Sequence, residues 1–118
     1  MRDHTKLRAF ELADELALAT YRRTQAFPSD ERFGMPSQMR RAAVSAASNI
    51  VEGCARSSEK DYVRFLDMAF GSCKEVSYQI SSASRLGFLQ VTEAKQLGEL
   101  AEETSRVLAG LIRSRCRS

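Results

Sequence analysis

The 118-residue chain has few of the side chains and motifs from which active sites are built. It contains one histidine, so it has no pair of Glu-x-x-His motifs, which excludes the usual carboxylate di-iron site of helical bundles. It also contains no Walker A loop, no G-x-G-x-x-G and no zinc-ligand spacing. The three cysteines form no C-x-x-C pair, which indicates reduced thiols. These absences predict a protein that is not an enzyme, with no catalytic residue, no metal, no cofactor and no small-molecule substrate.

Long apolar runs are also missing. No run approaches the roughly 20 residues that cross a bilayer, and residues 1–10 lack the apolar core of a secretory signal. Hydrophobic residues make up 43% of the chain and charged residues 28%, as in ordinary globular proteins. The sequence therefore predicts one cytoplasmic domain over residues 1–118, with no membrane partner.

The net charge of +3 comes from the C-terminal tail. The chain has 18 basic and 15 acidic residues, and Arg113, Arg115 and Arg117 lie in a stretch without acids. Without these three arginines the two signs balance. The tail is either a solvated, frayed terminus or a segment that contacts phosphates, and the residues leave both interpretations open.

A helical period recurs four times along the chain, and no alternation typical of β-strands persists. It predicts helices over residues 5–26, 36–55, 58–86 and 92–113. Short links from the second to the third helix and from the third to the fourth indicate antiparallel neighbours. The predicted fold is an all-α, up-down-up-down, left-handed four-helix bundle.

Local signals support the predicted helix ends. Pro28 ends the first helix, because the residue before a proline is pushed out of the helical region. Ser58 begins the third helix with a capping box, and Gly87 is typical of a C-terminal cap. Thr92 is the expected N-cap of the fourth helix.

The same periodicity predicts which side chains pack inward. Tyr21 is expected to point into the core from the first helix. Gly53, near the end of the second helix, either releases the helix or permits close packing. Gly71, in the middle of the third helix, costs about 1 kcal/mol of helix propensity, which is most easily offset by close contact with another helix.

A line of polar residues along the second helix is the most informative pattern in the chain. Its members are spaced three or four residues apart, opposite a face of small apolar residues. Three interpretations remain open: a buried hydrogen-bond network, a subunit interface, or a phosphate-binding surface that includes Arg40. A structural network with an interface role is favoured. The line consists of Gln38, Arg41, Ser45, Asn49, Glu52 and Arg56.

Two further features concern the partners of this helix. Glu52 could face Glu75 across the second and third helices, but a pair with Arg56, four residues later, is the better match. Val44 and Val51 make the apolar arc wider than one bundle core requires, and excess apolar surface usually marks a partner site. The sequence therefore predicts a homo-oligomer.

Residues 27–76 carry a dense set of motifs, among them Q-M-R-R-A-A-V-S, S-N-I-V-E-G, R-F-L and A-F-G-S. In this segment the chain closely resembles the bacterial four-helix-bundle family named for the intervening sequence of 23S ribosomal RNA. That family is similar to the accessory proteins of diversity-generating retroelements, and both are known as pentamers of four-helix protomers. The resemblance implies a homopentamer, and the retroelement relatives bind a reverse transcriptase and nucleic acid through basic surfaces.

Together, residues and resemblance predict an oligomeric scaffold that binds RNA, DNA or a nucleoprotein. The alternative is a protein-only adaptor that docks a partner chain. The polar line and Glu75 are expected to serve structure and interface. The expected contacts to nucleic acid are Arg40, Arg41, Arg56, Arg113, Arg115 and Arg117.

Overall fold

The computed structural model describes residues 2–31 and 34–116, and in these ranges the chain forms four α-helices and no strand. Short 3-10 turns precede α1 and α2. None of the described helices combines the length and apolar character needed to cross a membrane. The bundle measures 47 × 22 × 19 Å. The helices are α1 (Arg8–Thr24), α2 (Met35–Cys54), α3 (Glu59–Arg85) and α4 (Val91–Cys116).

Each helix packs against the next along the chain, and α4 also packs against α1. Contacts between α1 and α4 run in opposite directions along the two helices. Arg8 lies 3.7 Å from Glu103. Farther along α1, Arg23 lies 3.3 Å from Glu93. With this cyclic order, the groove between α1 and α2 and the groove between α3 and α4 lie on opposite sides of the bundle.

We call the end of the bundle that holds the start of α1 and the end of α4 the terminal end, and the opposite end the loop end. At the terminal end, the backbone N–H of Arg2 donates to the carbonyl of Cys54, 3.3 Å away. The first described residue therefore lies against the end of α2. The terminal end gathers the start of the chain, the link between α2 and α3, and the end of α4.

Two predicted helix ends are confirmed in atomic detail. The Ser58 hydroxyl accepts from the backbone N–H of Asp61 at 3.0 Å, which caps α3. Gly87 has a φ of +83°, and the next backbone N–H, of Phe88, donates to the carbonyl of Ala83 at 2.9 Å. This is the Schellman arrangement, and it requires the left-handed conformation that glycine adopts at little cost.

The start of α4 differs from the prediction. The carbonyl of Gln90 accepts the first helical bond from Ala94, and the Glu93 carboxylate accepts from the N–H of Gln90 at 3.3 Å. Because the glutamate reaches back to cap the preceding turn, the helix begins at Val91. Thr92 lies inside the helix, so its predicted role as N-cap is wrong.

The inward face of α1 also differs from the prediction. Tyr21 is 45% exposed, so the expectation that it enters the core is wrong, and Thr20 and Thr24 are buried instead. Thr20 donates its hydroxyl to the carbonyl of Leu16 at 2.7 Å, and Thr24 donates to that of Thr20 at 2.8 Å. These internal bonds satisfy the two hydroxyls, so threonine can take core positions.

The two singled-out glycines have opposite surroundings. A Cβ atom added at Gly53 would lie 2.9 Å from Cβ of Phe65 and 3.3 Å from the carbonyl oxygen of Tyr62, so this glycine permits the close approach of α2 and α3. A Cβ atom added at Gly71 would meet nothing within 4 Å. The described chain does not provide the expected helix contact at Gly71.

Candidate functional site

A hydrogen-bond network that reaches α3 occupies the centre of the polar line of α2. The hydroxyls of Ser45 and Ser72 lie 3.0 Å apart across α2 and α3. The side-chain amide of Asn49 donates to the carbonyl and the hydroxyl of Ser45, at 2.9 and 3.0 Å. The bonded groups are partly buried, whereas Arg41, near the start of the line, is exposed. The centre of the line therefore joins α2 to α3.

The two glutamates do not form a carboxylate pair. Glu52 accepts from the guanidinium of Arg56 at 2.9 Å, as the four-residue spacing predicts. Glu75 has Gln79 as its neighbour, at 3.5 Å. Gly53, next to Glu52, packs on Phe65, and ten residues of helix separate Phe65 from Glu75, or about 15 Å. The interpretation in which the two glutamates face each other is wrong.

Arg40 joins α2 to α1. Its Nε donates to the hydroxyl of Thr24 at 2.8 Å, and its Nη2 donates to the carbonyl of Tyr21 at 3.3 Å. The guanidinium also lies 4.7 Å from the centre of the Tyr21 ring. Because these contacts hold α2 against α1, Arg40 has a structural role in the protomer. Arg41 follows it at the loop end and is exposed.

A cluster at the terminal end surrounds Tyr62, which is fully buried. The guanidinium of Arg2 lies 3.9 Å from the centre of the ring and that of Arg115 lies 5.4 Å from it. Both arginines pair with the carboxylate of Glu59, at 2.5 and 3.4 Å. Arg2 also donates to the carbonyl of Arg56 at 3.1 Å.

The sequence singled out Arg115 as a possible nucleic-acid contact in the tail, but it did not place Arg115 in this cluster and it gave no sign of Arg2 or Glu59. The two partners of each contact lie more than fifty residues apart, so no local spacing could show the cluster. A second pair of arginines lies beside it: the guanidinium groups of Arg56 and Arg64 are each 4.7 Å from the centre of the Phe65 ring.

Of the tail residues, Arg113 is exposed on the last turns of α4. Arg117 lies outside the described residues. We call the basic side chains that gather at the terminal end the basic end. Its members are Arg2, Lys6, Arg8, Arg56, Lys60, Arg64, Arg113 and Arg115.

Charge is distributed in three bands along the bundle. The segments at the terminal end (2–11, 52–64 and 113–116) carry the eight members of the basic end and five acids, Asp3, Glu11, Glu52, Glu59 and Asp61. The middle segments carry two basic residues, Lys74 and Arg106, and seven acids, Asp14, Glu15, Asp67, Glu75, Glu99, Glu102 and Glu103. The loop end carries six basic residues, Arg22, Arg23, Arg40, Arg41, Arg85 and Lys95, and three acids, Asp30, Glu31 and Glu93. An acidic belt therefore separates two basic ends, and the near balance of the two signs in the sequence conceals this arrangement.

The buried thiols are not activated. Burial raises the pKa of Cys54, and it raises the pKa of Cys73 to about 11. Both thiols are therefore protonated at neutral pH, in which form they are poor nucleophiles. Among the described residues, no group of three His, Cys, Asp or Glu side chains has the placement to hold a metal ion.

Two surface grooves lie on opposite sides of the bundle. The groove between α1 and α2 has a volume of about 570 Å³, and Leu18, Tyr21, Val44 and Val51 contribute exposed apolar surface to it. The exposure of both valines agrees with the wide apolar arc in the sequence. The groove between α3 and α4 has a volume of about 1090 Å³, and small residues line much of it: Ser77, Ser81, Ser84, Ala94 and Gly98.

Comparison with known protein families identifies the family to which this chain belongs. The profile of the family described as "23S rRNA-intervening sequence protein" matches residues 5–110. The chain belongs to this family. The match extends well beyond residues 27–76, where the sequence motifs are densest, and takes in all of α1–α3 and most of α4. Among proteins with curated functions, none matches the sequence.

A solved structure supports the fold of this 23S rRNA-intervening sequence protein. It is the crystal structure of a protein of unknown function from the S23 ribosomal protein family of Bacteroides thetaiotaomicron, with a TM-score of 0.83. The match covers 89% of this chain and 95% of the other, at 19% sequence identity. At that identity the likeness shows the fold alone. Neither comparison indicates a catalytic family.

Proposed function

We propose that this protein is a non-catalytic scaffold that assembles as a homopentamer of left-handed, up-down-up-down bundles and binds nucleic acid through the basic end. One observation carries the proposal: eight basic side chains accompany five acidic ones at the end of the bundle where the chain's two described ends meet, and Glu103 of the acidic belt also reaches one of the eight, Arg8. Six of the eight are arginines, whose planar donor fork suits phosphate. Such a surface attracts phosphates whatever the base sequence.

The aromatic contacts favour phosphate binding by these arginines. Arg56 and Arg64 lie on the ring of Phe65, and Arg2 and Arg115 lie on the ring of Tyr62. Each of the four also pairs with a carboxylate, Glu59 for Arg2 and Arg115, Glu52 for Arg56 and Asp61 for Arg64, so the donors offered to phosphate are those that remain at the edge of each guanidinium. Because the stacked side chains are already ordered, binding costs them less conformational entropy.

The acidic belt restricts the side from which nucleic acid can approach the protein. Phosphates are repelled from the middle of the bundle, where seven acids oppose two basic residues, so the backbone of a duplex would approach end-on. In a ring of parallel protomers, five basic ends would share one rim. Linked weak sites bind far more tightly than one site alone, provided that the duplex can reach several of them.

The assembly is tested by light scattering on nuclease-treated protein. We expect the mass of five chains at micromolar concentration, and a monomer would contradict the proposed assembly. The same preparation is then titrated with duplex DNA at increasing salt. The logarithm of the affinity should fall linearly with the logarithm of the salt concentration. Absence of salt-dependent binding at low salt would contradict the nucleic-acid function and leave the assembly standing.

The surface is tested by removing charge at one end only. Arg113→Gln combined with Arg115→Gln should weaken binding and lower the salt slope by about 0.9 for each phosphate that the variant no longer neutralises. The matched control is Arg22→Gln combined with Arg41→Gln, which removes two exposed arginines from the loop end. Equal weakening by both variants would contradict end-on binding.

The α1–α2 groove favours a second function, that of a protein-only adaptor. Its exposed apolar side chains, Leu18, Tyr21, Val44 and Val51, could dock a partner chain without nucleic acid. A specific partner that remains bound after nuclease treatment and no longer binds Val44→Lys would support the adaptor. Capture of other copies of this chain alone would support the scaffold.

A further inference from the structure

We propose that copies of this chain associate head to tail, with the α1–α2 face of one copy packed into the α3–α4 groove of the next. The inference rests on the self-assembly proposed above and specifies the two surfaces that meet. The occupant of each groove is thus a second copy of this chain. The tail surface is the α3–α4 groove, and the head surface is the exposed apolar face of Leu18, Tyr21, Val44 and Val51.

The positions of the two surfaces allow repeated association. Since α1 contacts α2 and α4, and α3 contacts the same two helices, the α1–α2 and α3–α4 sides are opposite. Two different surfaces on opposite sides of one subunit make a heterologous contact, which each added copy can repeat. Such contacts close into a ring when the rotation from one copy to the next is a whole fraction of a full turn with no rise along the axis, and otherwise they form an open filament. The α2–α3 and α4–α1 sides would remain free.

The surfaces also suit each other in shape. Large apolar side chains line the shallower α1–α2 groove, and Leu18, the most exposed of them at 52%, is the one best placed to enter the larger groove of another copy. The groove is lined by small side chains, with Gly98 on its α4 wall. A Cβ atom added at Gly98 would meet nothing within 4 Å, so packing inside the protomer does not require this glycine. Glycine is the least favourable helix residue after proline, and Gly98 differs from the equally open Gly71 in lining the groove, where a neighbouring copy could approach its backbone.

The charges at the two surfaces are complementary. Asp14 and Glu52 are the charged residues that line the α1–α2 groove, and both are acidic. Glu52 is paired with Arg56, whereas Asp14 makes no ion pair within the described residues. The groove carries three basic residues that make no ion pair within the described chain. Two of its three acids are already paired, Glu102 with Lys74 and Glu103 with Arg8. The three unpaired basic residues are Arg85, Lys95 and Arg106.

A mixture of two variants, each with one of the two surfaces disrupted, tests this arrangement. The head variant carries Leu18→Lys and Val44→Lys, both at exposed positions, so the new charges point to solvent in the monomer. The groove variant carries Gly98→Gln, whose Cβ atom would meet nothing within 4 Å in the protomer and whose side chain would occupy the groove. Each variant alone should have the mass of one chain. A one-to-one mixture should give a dimer and nothing larger, because the intact groove of one meets the intact head of the other.

Other modes of association give different masses. If the α1–α2 faces pair with themselves, the groove variant alone assembles like the wild type and the mixture contains no heterodimer of the two variants, which would overturn the inference. Met68→Lys and Gly71→Gln serve as matched controls on exposed positions of α3, and both should assemble like the wild type. Melting temperatures show that each variant is folded. A monomeric wild type would instead contradict the proposed assembly itself, so the two failures are distinguishable.

Discussion

The contact between α2 and α3 and the groove between α3 and α4 use small residues in opposite ways. At the first, Gly53 has no room for even one added carbon, because Phe65 and Tyr62 of α3 already occupy the space. At the second, Gly98 has open space where a side chain would extend. Both glycines lie within helices, where glycine is unfavourable. The difference shows that a small residue can serve packing within a chain or leave room for another molecule.

The largest expected effect tests the closed side of this comparison. Gly53→Leu should lower the free energy of unfolding by about 3 kcal/mol, because overpacking forces the helices apart. Urea unfolding measures the change. The same substitution at Gly98 is the control and should not destabilise the protomer. Equal effects at the two positions would remove the distinction between the closed contact and the open groove.

A second prediction concerns the buried contact between α3 and α4, where Cys73 lies. Cys73 is fully buried, and burial raises its pKa from 9.0 to about 11. A raised pKa in the folded state adds stability that is complete below pH 9 and disappears as the pH rises to about 11. We expect Cys73 to account for a decrease of about 2–3 kcal/mol over this window.

Burial also raises the pKa values of Cys54 and Tyr62, so these groups add to the alkaline destabilisation. The contribution of Cys73 is therefore the difference between the pH profiles of the wild type and Cys73→Ala. A variant profile parallel to the wild type would show that the Cys73 thiol is not in a closed environment.

The third prediction tests the polar bond across α2 and α3. Ser45→Ala removes the hydroxyl that meets Ser72 and Asn49, and it should lower the free energy of unfolding by about 1 kcal/mol. Gln38→Ala, at the start of the same line, should change it by less than about 0.5 kcal/mol. Thermal or urea unfolding measures both. A larger decrease from Gln38→Ala would place the stabilising part of the line elsewhere.

The smallest effect has the opposite sign. Gly98→Ala should raise the free energy of unfolding by about 0.5–1 kcal/mol, because alanine is the better helix former and the added methyl group meets nothing. Gly71→Ala should do the same. Both are measured in the Leu18→Lys and Val44→Lys background, so that dissociation does not contribute. A decrease in stability at Gly98 would show that the groove is closed within the protomer.

The sequence predicted the all-helical fold and the features that depend on neighbouring residues. The Ser58 cap, the Gly87 turn and the Glu52–Arg56 pair all follow from spacings of three to five residues. The inward face of α1 was predicted less well, because the buried threonines donate to their own helix and a tyrosine ring looks more apolar than a threonine. Hydrophobicity alone favours Tyr21 over Thr20.

The candidate surfaces depended on contacts that spacing does not show. Arg2 and Arg115 meet at Glu59 from opposite ends of the sequence. Arg40 was predicted to contact phosphate but lies on the ring of Tyr21. This contact depends on how α1 and α2 pack against each other, which the spacing of residues does not show. The assembly, the nucleic-acid contacts and the role of Arg117 stay predictions. The acidic belt could not be read from the sequence either, since its seven acids come from three separate helices.

The contact of Arg2 and Arg115 with one carboxylate has a consequence for the order of the chain. Residues 2 and 115, near the two ends of the four-helix domain, lie side by side, so a linker of a few residues between these positions would not have to cross the bundle. A new beginning and end could then be opened between α3 and α4, at Gly87, where the turn is exposed. Such a circular permutant would keep every helix, and it would carry its free ends at the end of the molecule opposite Glu59.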